Sequence, residues 1–498
     1  MLQSSVERHP ERPALIFGDR RLDYAALSTE VDRLADRLGA LATRGERVAL
    51  IAPNVPALVI AMFASWRLGA VAVPLNARLR EYELRQVLAD AEPAAIVSLD
   101  THQGYSFADA ISSLMPHLPT VRGCLLLDAE GRAGDERKGA ARASAAPELP
   151  PDVIAVLYTS GTTGRPKGAL VTLGSAEASA EALAERLALT PADVTALVVP
   201  ASHAFGLGCL LAALAAGSCT VLVDAGFSLD PVRVAMREHG ASVLHGSPAL
   251  FARLLATERD LFAQVRTGFV AGAHCPPVVL ERLDEAGPMI LNLFGMTEMG
   301  AAAGCRSDDA PELRHKTVGR PLPGFEFRAA GGSAPDDPGE LQVRGPHVTP
   351  GYLGKPDETA AAFDGDWFRT GDLGTIDELG YVRVAGRAKE VVHVAGFNVF
   401  PAEVEAFLLT HPDVAQAVVV GVPHEKMGEV LAAYVVPSPG ADLTPGALLR
   451  FARPRIAGYK LPYAISVVDE LPLLPSGKPD RVALAAGAEQ REPAGVDR

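Results

Sequence analysis

Short continuous apolar runs recur through the first part of the chain. They lie at Arg47–Ala52, Gly69–Leu75, Ala94–Ser98, Val153–Leu157, Val194–Pro200, Cys219–Val223, Ser242–His245, Gly268–Ala271 and Met289–Phe294. A strand with one wet face alternates polar and apolar residues, whereas a strand covered on both faces is apolar throughout. Between the runs, Tyr24–Leu38 spaces its apolar residues three and four apart, as an amphipathic helix does. Helical segments at Pro56–Leu68, Glu81–Asp90, Ser175–Leu189, Cys209–Ala216, Val232–His239 and Pro248–Ala256 repeat the theme. Buried strands alternating with helices predict parallel βαβ units and an α/β fold. Ala201–Gly208 reads as an interruption between strand and helix, and Asp128–Pro151, poor in large apolar residues, as a connector.

From about Val318 the pattern changes. Phe325–Arg328, Gly339–Arg344, Gly374–Asp377 and Gly380–Val384 read as short alternating strands with Gly- and Asp-rich turns, a small antiparallel barrel or sheet. Beyond Gly386 comes helix at Pro401–Thr410, strand at Val414–Gly421 and Leu431–Val436, helix at Pro445–Ala452, and strand at Ala464–Val468. That is a compact α+β unit of ordinary domain size. The expected division is an N-terminal domain at 1–385, a hinge at 386–389 and a small mobile α+β domain at 390–498, with fraying from about Ala488.

A net charge of −14 argues against nucleic acid or an anionic membrane as main partner, since both demand a basic face. Five scattered cysteines form no Cys-x-x-Cys pair or Cys/His cluster, so neither a disulfide framework nor a zinc site is expected. The start lacks a signal-peptide pattern, and the apolar stretches are interrupted before about 18 residues. A cytoplasmic enzyme without a membrane span is the expectation.

The run Val153–Leu157 leads into Tyr158-Thr-Ser-Gly-Thr-Thr-Gly-Arg-Pro-Lys167-Gly168. Four aliphatic hydroxyls (Thr159, Ser160, Thr162, Thr163), three glycines (Gly161, Gly164, Gly168) and Lys167 share eleven residues. Bare N–H groups, hydroxyls and one lysine suit a polyphosphate, and an ordinary polar turn is the weaker alternative. The spacing is not that of a P-loop. Further on, Asn292-Leu-Phe294-Gly295-Met-Thr297-Glu298 follows a strand. The carboxyl edge of an open α/β sheet is where ligands bind. There Phe294 can stack on a base, Thr297 can bond a phosphate and Glu298 can hold Mg²⁺; a capped loop with a solvated Glu fits equally. Asp372 in Trp367–Leu373 is either a ribose ligand or a turn aspartate. Gly386-Arg-Ala-Lys-Glu390 followed by a loop at Gly396 is a movable hinge or a static linker. Lys478, in Leu471–Lys478, is an active-site or a surface lysine.

Together, the order and spacing of these clusters closely resemble the adenylate-forming superfamily, which includes acyl-CoA synthetases, peptide adenylation domains and firefly luciferase. The resemblance runs from about Glu11 to Arg481. It implies ATP, Mg²⁺ and coenzyme A as cofactors and a two-step reaction. A carboxylate attacks the α-phosphate, giving an acyl-adenylate and pyrophosphate; a thiol then displaces AMP. The family pattern implies that Thr159, Ser160, Gly161, Thr162, Thr163, Gly164 and Lys167 hold the β- and γ-phosphates. It puts Phe294 and Gly295 at the adenine, Thr297 at the α-phosphate and Glu298 at the metal. Asp372 with Arg387 binds the ribose, and Lys478 bridges the α-phosphate and the carboxylate. Lys389 marks the hinge, which brings Gly396 to the thiol. The adenine loop departs from the family in reading Ala271-Gly-Ala273-His274-Cys275, and Asn292 stands where Gln is usual.

Pro200–Gly206 resembles the family's acyl-pocket segment, with His203 near the carboxylate, Phe205 beside it and Gly300 in a roomy small-residue wall. No Asp lies between Pro200 and Leu214 to pair with an amino-acid ammonium, and no Lys or Arg to pair with a second carboxylate. The expected substrate is a hydrophobic monocarboxylate, aryl, alicyclic or medium-chain, with free CoA or a carrier-protein thiol as acceptor. Malonyl- or amino-acid-activating members are the alternatives, and a non-catalytic binding module is disfavoured.

Overall fold

A computed structural model describes residues 2–139, 148–159, 166–224, 228–334, 337–394, 397–424, 427–456, 458–474 and 477–489. Two large sheets carry the apolar runs. The seven-stranded sheet has the order Lys167–Thr172, Val153–Thr159, Val71–Leu75, Arg47–Ile51, Ala95–Leu99, Gly123–Leu127 and Ala133–Lys138. Its central strands are parallel and both edges antiparallel. The nine-stranded sheet has the order Arg320–Pro321, Gly300–Gly304, Met289–Met296, Thr267–Val270, Val243–Leu244, Val194–Leu197, Cys219–Leu222, Pro13–Phe17 and Arg20–Asp23.

Burial explains why these strands are apolar on both faces. Along Arg47–Ile51, Val48 and Leu50 enter one core while Ala49 and Ile51 enter another. The core around Val48 and Leu50 also takes Leu197 and Leu222 from the nine-stranded sheet, so it lies between the two sheets. Helices Tyr24–Leu38, Pro56–Arg67 and Ala204–Ala215 fill it. Residues 56–65 and 206–214 are buried on every side of their helices, the signature of a helix with no wet face. Outer helices cover the far face of each sheet, giving five layers.

Several expectations change. Ala133–Lys138, inside the expected connector, is an antiparallel edge strand on Gly123–Leu127. Its charged residues suit a strand with one unpaired side, where charge discourages further pairing. The segment 140–147 lies outside the described residues. The helix expected from Cys209 begins at Ala204; its early glycines concealed the start. A Cβ on Gly206 would come within 2.2 Å of the Pro200 carbonyl oxygen, so the tight entry requires glycine. Residues 13–23 join the nine-stranded sheet through Cys219–Leu222, not the sheet that follows them in sequence.

Downstream, Glu326–Ala334, Asp337–Arg344, Phe363–Asp364, Trp367–Ile376 and Val382–Arg387 form an antiparallel sheet whose outer strands do not pair with one another among the described residues. It is a sheet, not a barrel. The small C-terminal domain holds Phe397–Val399, Val392–Val394, Gly428–Pro437 and Val414–His424, with Ala464–Val467 parallel to Gly428–Pro437. A helix, Arg481–Glu489, runs through the point where fraying was expected. Among the described residues, no helix is long and apolar enough to cross a membrane.

Candidate active site

The carboxyl ends of the parallel strands set the site. Val153–Thr159 and Lys167–Thr172 pair antiparallel up to Thr159 opposite Lys167. Ser160, Gly161, Thr162, Thr163 and Gly164 lie outside the described residues, as does the Thr159 side chain. The strand pair is tied down. The Tyr158 hydroxyl donates to Asp90 Oδ2 at 2.7 Å, and Lys355 Nζ donates to Asp90 Oδ1 at 2.7 Å. Burial and the Asp90 carboxylate both hold the Tyr158 phenol above its ordinary pKa. Leu170 N donates to the Gly351 carbonyl at 3.0 Å and Leu353 N to the Gly168 carbonyl at 2.8 Å, which lays residues 351–353 along the Lys167–Thr172 strand.

Met289–Met296 turns back into Gly300–Gly304, with Thr297, Glu298 and Met299 as the turn. A Cβ on Gly295 would meet the Gly300 carbonyl oxygen at 2.0 Å, so the bulge beside Phe294 depends on glycine. Glu298 is 8% exposed. Its Oε1 accepts from the Tyr352 hydroxyl at 2.9 Å, and its carbonyl accepts from Thr349 N at 2.6 Å. Burial, then the charge of Glu298, pushes the Tyr352 phenol up, so the hydroxyl stays a donor. Lys167 Nζ lies 5.4 Å from the centre of the Tyr352 ring. Tyr352 thus joins the Lys167–Thr172 strand to Glu298. The sequence reading gives Tyr352 no site role; a tyrosine beside a glycine carries no local sign of its partner.

Asp372 lies within Trp367–Ile376 opposite Arg387, which settles against a turn position. Arg387 Nε is 2.9 Å from Asp372 Oδ1. Burial raises the Asp372 carboxyl to about 6, against the pull of Arg387 and Lys478. Lys478 follows a tight turn in which Leu474 N donates to the Lys478 carbonyl and Gly477 N to the Leu474 carbonyl, each at 2.8 Å. Arg481 braces that turn by ion pairs to Glu405 at 2.8 Å and Glu390 at 3.6 Å. Surrounding protein and the Arg387 charge pull the Lys478 pKa down, while Asp372 and Glu390 oppose them. The Lys478 side chain itself remains exposed. Its field reaches His203 as well as Asp372, so the C-terminal lysine faces the N-terminal site.

His203 caps the entry to Ala204–Ala215. Burial, then Lys478, lowers its pKa, so the ring is neutral. Its Nε2 is 3.2 Å from Asn76 Nδ2. Arg78 N donates to Asn76 Oδ1 at 2.9 Å, which turns the Asn76 amide N–H toward the ring. His203 Nε2 is therefore the acceptor and Nδ1 carries the proton. The bend before His203 is held by Asn54, which donates to the Leu197 and Val199 carbonyls at 2.9 and 3.0 Å and accepts from Ala201 N at 2.8 Å. Asn54 and Asn76 follow strands of the other sheet, so both act across the interface between sheets. Long-range pairing of this kind leaves no mark in local sequence.

Beside Glu298 opens a small, partly solvent-open cavity lined largely by apolar side chains. Ala204, Leu207, Gly208 and Leu211 form one wall and Gly300 another. Of the expected pocket residues only Gly300 lines it. His203 stands at the helix entry, and Phe205 turns to His245 with ring centres 6.2 Å apart. Other expected site residues are more dispersed. Phe294 packs on Phe327 at 6.2 Å. Asn292 is spent internally: it is buried, and its Nδ2 donates to the Thr317 carbonyl at 3.0 Å, because its strand position lies within the sheet, short of the carboxyl edge. Ala273 and His274 are exposed on the neighbouring strand's carboxyl loop. Lys389 lies in the exposed turn Ala388–Glu390, and Gly396 lies outside the described residues. Among the described residues no three His, Cys, Asp or Glu side chains form a metal cluster.

A layered α/β body with a buried carboxylate at a strand turn and a lysine carried by a small second domain is the arrangement of an adenylate-forming enzyme. Family models agree: residues 2–353 match "AMP-binding enzyme" and residues 403–478 match "AMP-binding enzyme C-terminal domain". A Rhodococcus jostii 3-[(3aS,4S,7aS)-7a-methyl-1,5-dioxo-octahydro-1H-inden-4-yl]propanoyl:CoA ligase is 34% identical, over 96% of each chain. An Amycolatopsis feruloyl-CoA synthase is 35% identical, over 94% of each. The o-succinylbenzoate CoA synthetase of Bacillus subtilis, solved with its acyl-adenylate intermediate, superposes with a TM-score of 0.82 at 28% identity, over 99% of each chain. The chain belongs to the AMP-binding, adenylate-forming enzyme family, and within it to the acyl-CoA synthetase type.

Proposed function

We propose that the protein activates a hydrophobic monocarboxylic acid, aryl, alicyclic or medium-chain, with ATP and passes the acyl group to the thiol of CoA. The observation that carries this reading is that the charges of Lys478 and Glu298 both act on Asp372, beside a cavity that, among the described residues, no charged side chain other than Glu298 lines. The acid's hydrocarbon part fills the cavity and its carboxylate points to the cleft. One carboxylate oxygen attacks the α-phosphorus; the bond to the β-phosphate oxygen breaks and pyrophosphate leaves. Lys478, a cation in a partly desolvated cleft, opposes the charge that builds on the phosphoryl oxygens and aligns the attacking carboxylate. Thr297 bonds the α-phosphate, and the 159–167 segment grips the departing pyrophosphate. Asp372, held by Arg387, accepts from the ribose hydroxyls, while Phe294, Gly295 and the 273–274 loop border the base. In the second step the thiolate attacks the acyl carbon and AMP leaves.

Glu298 fits Mg²⁺. It is an oxygen donor, and the lack of a multi-ligand cluster among the described residues matches an ion shared with substrate phosphates. Bound there, the ion supplies neutralisation of phosphate charge. The division at 1–385, 386–389 and 390–498 follows, with Lys389 in the exposed turn between the two sheets as the hinge. A turn at that hinge would withdraw Lys478 after the first step, and such motions set many turnover rates.

The test is a screen of carboxylic acids with ATP and CoA that reads both pyrophosphate and thioester. Hydrophobic monocarboxylates give turnover; turnover confined to amino acids or malonate sinks the reading. Lys478→Ala lowers pyrophosphate release by roughly 10²–10³-fold with unchanged thermal stability, since the side chain is exposed.

A further inference from the structure

Two carboxylates act on Lys478 among the described residues, Asp372 and Glu390. Each already holds an arginine. Asp372 Oδ1 is 2.9 Å from Arg387 Nε, and Glu390 Oε2 is 3.6 Å from Arg481 Nε. Lys478 itself has no ion pair among the described residues. Arginine competes better than lysine for a carboxylate, because its planar fork fits the two oxygens. The two arginines therefore leave the lysine uncommitted.

Arg387 belongs with Asp372 at the ribose. Arg481 has no such place, and its setting is built. It opens the helix Arg481–Glu489. Its Nη1 donates to the Val419 carbonyl at 2.6 Å and pairs with Glu405 Oε1 at 2.8 Å. Glu405 Oε1 also accepts from Val419 N at 2.7 Å. These contacts fix the guanidinium on the body of the C-terminal domain and leave its Nε edge for Glu390. Glu390 ends the turn Ala388–Glu390. Lys478 ends another turn, steadied just beyond it where Asp480 N donates to the Pro472 carbonyl at 2.8 Å. One fixed arginine thus joins the turn that carries Glu390 to the turn that carries Lys478.

We propose that Arg481 is a positioning residue for the first step: by occupying Glu390 it leaves Lys478 free to turn to the carboxylate and the α-phosphate. This rests on the reading of Lys478 as the cation of that step. Without Arg481, the Glu390 carboxylate closes on Lys478 and holds it within its own domain. The second step, in which Lys478 takes no part, is untouched.

The experiment separates the two half-reactions. Step one is read as pyrophosphate release from ATP with benzoate, cyclohexanecarboxylate or octanoate. Step two is read as thioester formation from CoA and the matching acyl-adenylate, prepared chemically. Arg481→Gln keeps a donor for the Val419 carbonyl but no charge for Glu390. It lowers kcat of step one about tenfold, the worth of one charge-assisted bond, and leaves step two within about twofold of wild type. Arg481→Met, which keeps the volume, does the same. Adding Glu390→Gln to either variant restores step one but not the lost thermal stability, because Glu405 still lacks its arginine. A merely structural arginine would leave both unrestored. An unchanged step one in Arg481→Gln, an equal fall in both half-reactions, or a fall that Glu390→Gln does not restore overturns the proposal. Lys478→Ala in the same assay separates the two levels. If it leaves step one intact, the reading of Lys478 fails and this proposal with it. If it loses step one while Arg481→Gln does not, only the role of Arg481 falls. A second readout needs no acid: in NMR of labelled lysine the Lys478 ammonium pKa rises in Arg481→Gln, as Glu390 closes on it, and returns in the double variant. An unmoved pKa overturns the proposal whichever acid the protein takes.

Discussion

Removing one oxygen from Tyr352 tests the proposed role of Glu298 in holding Mg²⁺. In Tyr352→Phe the ring stays: the backbone of 351–353 is paired to the Lys167–Thr172 strand, and Tyr352 N donates to Thr359 Oγ1 at 3.0 Å. The Lys167 contact to the ring face stays too. What disappears is the 2.9 Å bond to Glu298 Oε1. A hydrogen bond to a charged acceptor is worth about 2 kcal/mol. Water cannot easily replace it, because Glu298 is 8% exposed. In a binding constant that energy is roughly 30-fold. A carboxylate freed from its outer partner is also misaligned for a metal, with typical losses of 10- to 100-fold. The expected result is a 10- to 30-fold rise in the Mg²⁺ concentration giving half-maximal pyrophosphate release, with kcat recovered at saturating Mg²⁺. An unchanged Mg²⁺ requirement, or a loss of kcat that no Mg²⁺ concentration restores, would refute this role for Tyr352.

Other outcomes follow from the same geometry. The Asp372 carboxyl, raised to about 6 by burial, is ionised above that pH and protonated below it; the KM for ATP therefore rises as pH falls from 7 to 5, and Asp372→Asn gives a high KM with that limb flattened. Asn76→Asp puts an acceptor against His203 Nε2, which reverses the tautomer and raises the imidazole pKa; nitrogen chemical shifts of labelled histidine report both. Asn54→Ala deletes three hydrogen bonds made in a buried setting and lowers stability by about 2–3 kcal/mol in urea unfolding.

Much of the frame was legible because burial writes itself into composition. Val48, Ala49, Leu50 and Ile51 are apolar because both faces of their strand are covered, and the parallel reading followed. The strand at Ala133–Lys138 was not legible, because an edge strand needs no apolar face. The start of the Ala204–Ala215 helix was hidden by Gly206 and Gly208, whose presence answers to packing, not to helix propensity. In the site, residues grouped by local sequence, such as Thr297 and Glu298, were readable from their strand end. Asn54, Asn76 and Tyr352 acquire their roles from partners far away in the chain, and no window of sequence contains both members of such a pair.

The pairing of Pro13–Phe17 with Cys219–Leu222 has a consequence for the protein during synthesis. The first strand leaves the ribosome about 200 residues ahead of the strand it must join. At 5–20 residues per second the delay is roughly 10–40 s. Throughout it Leu15 and Ile16, both buried in the finished protein, have a native sheet neighbour on one side alone, Arg20–Asp23. The amphipathic helix Tyr24–Leu38 and the first strands of the other sheet emerge meanwhile and offer provisional cover. Nascent chains halted before residue 219 should therefore hold their N-terminus open to proteolysis and to chaperones, and those released beyond 223 should not.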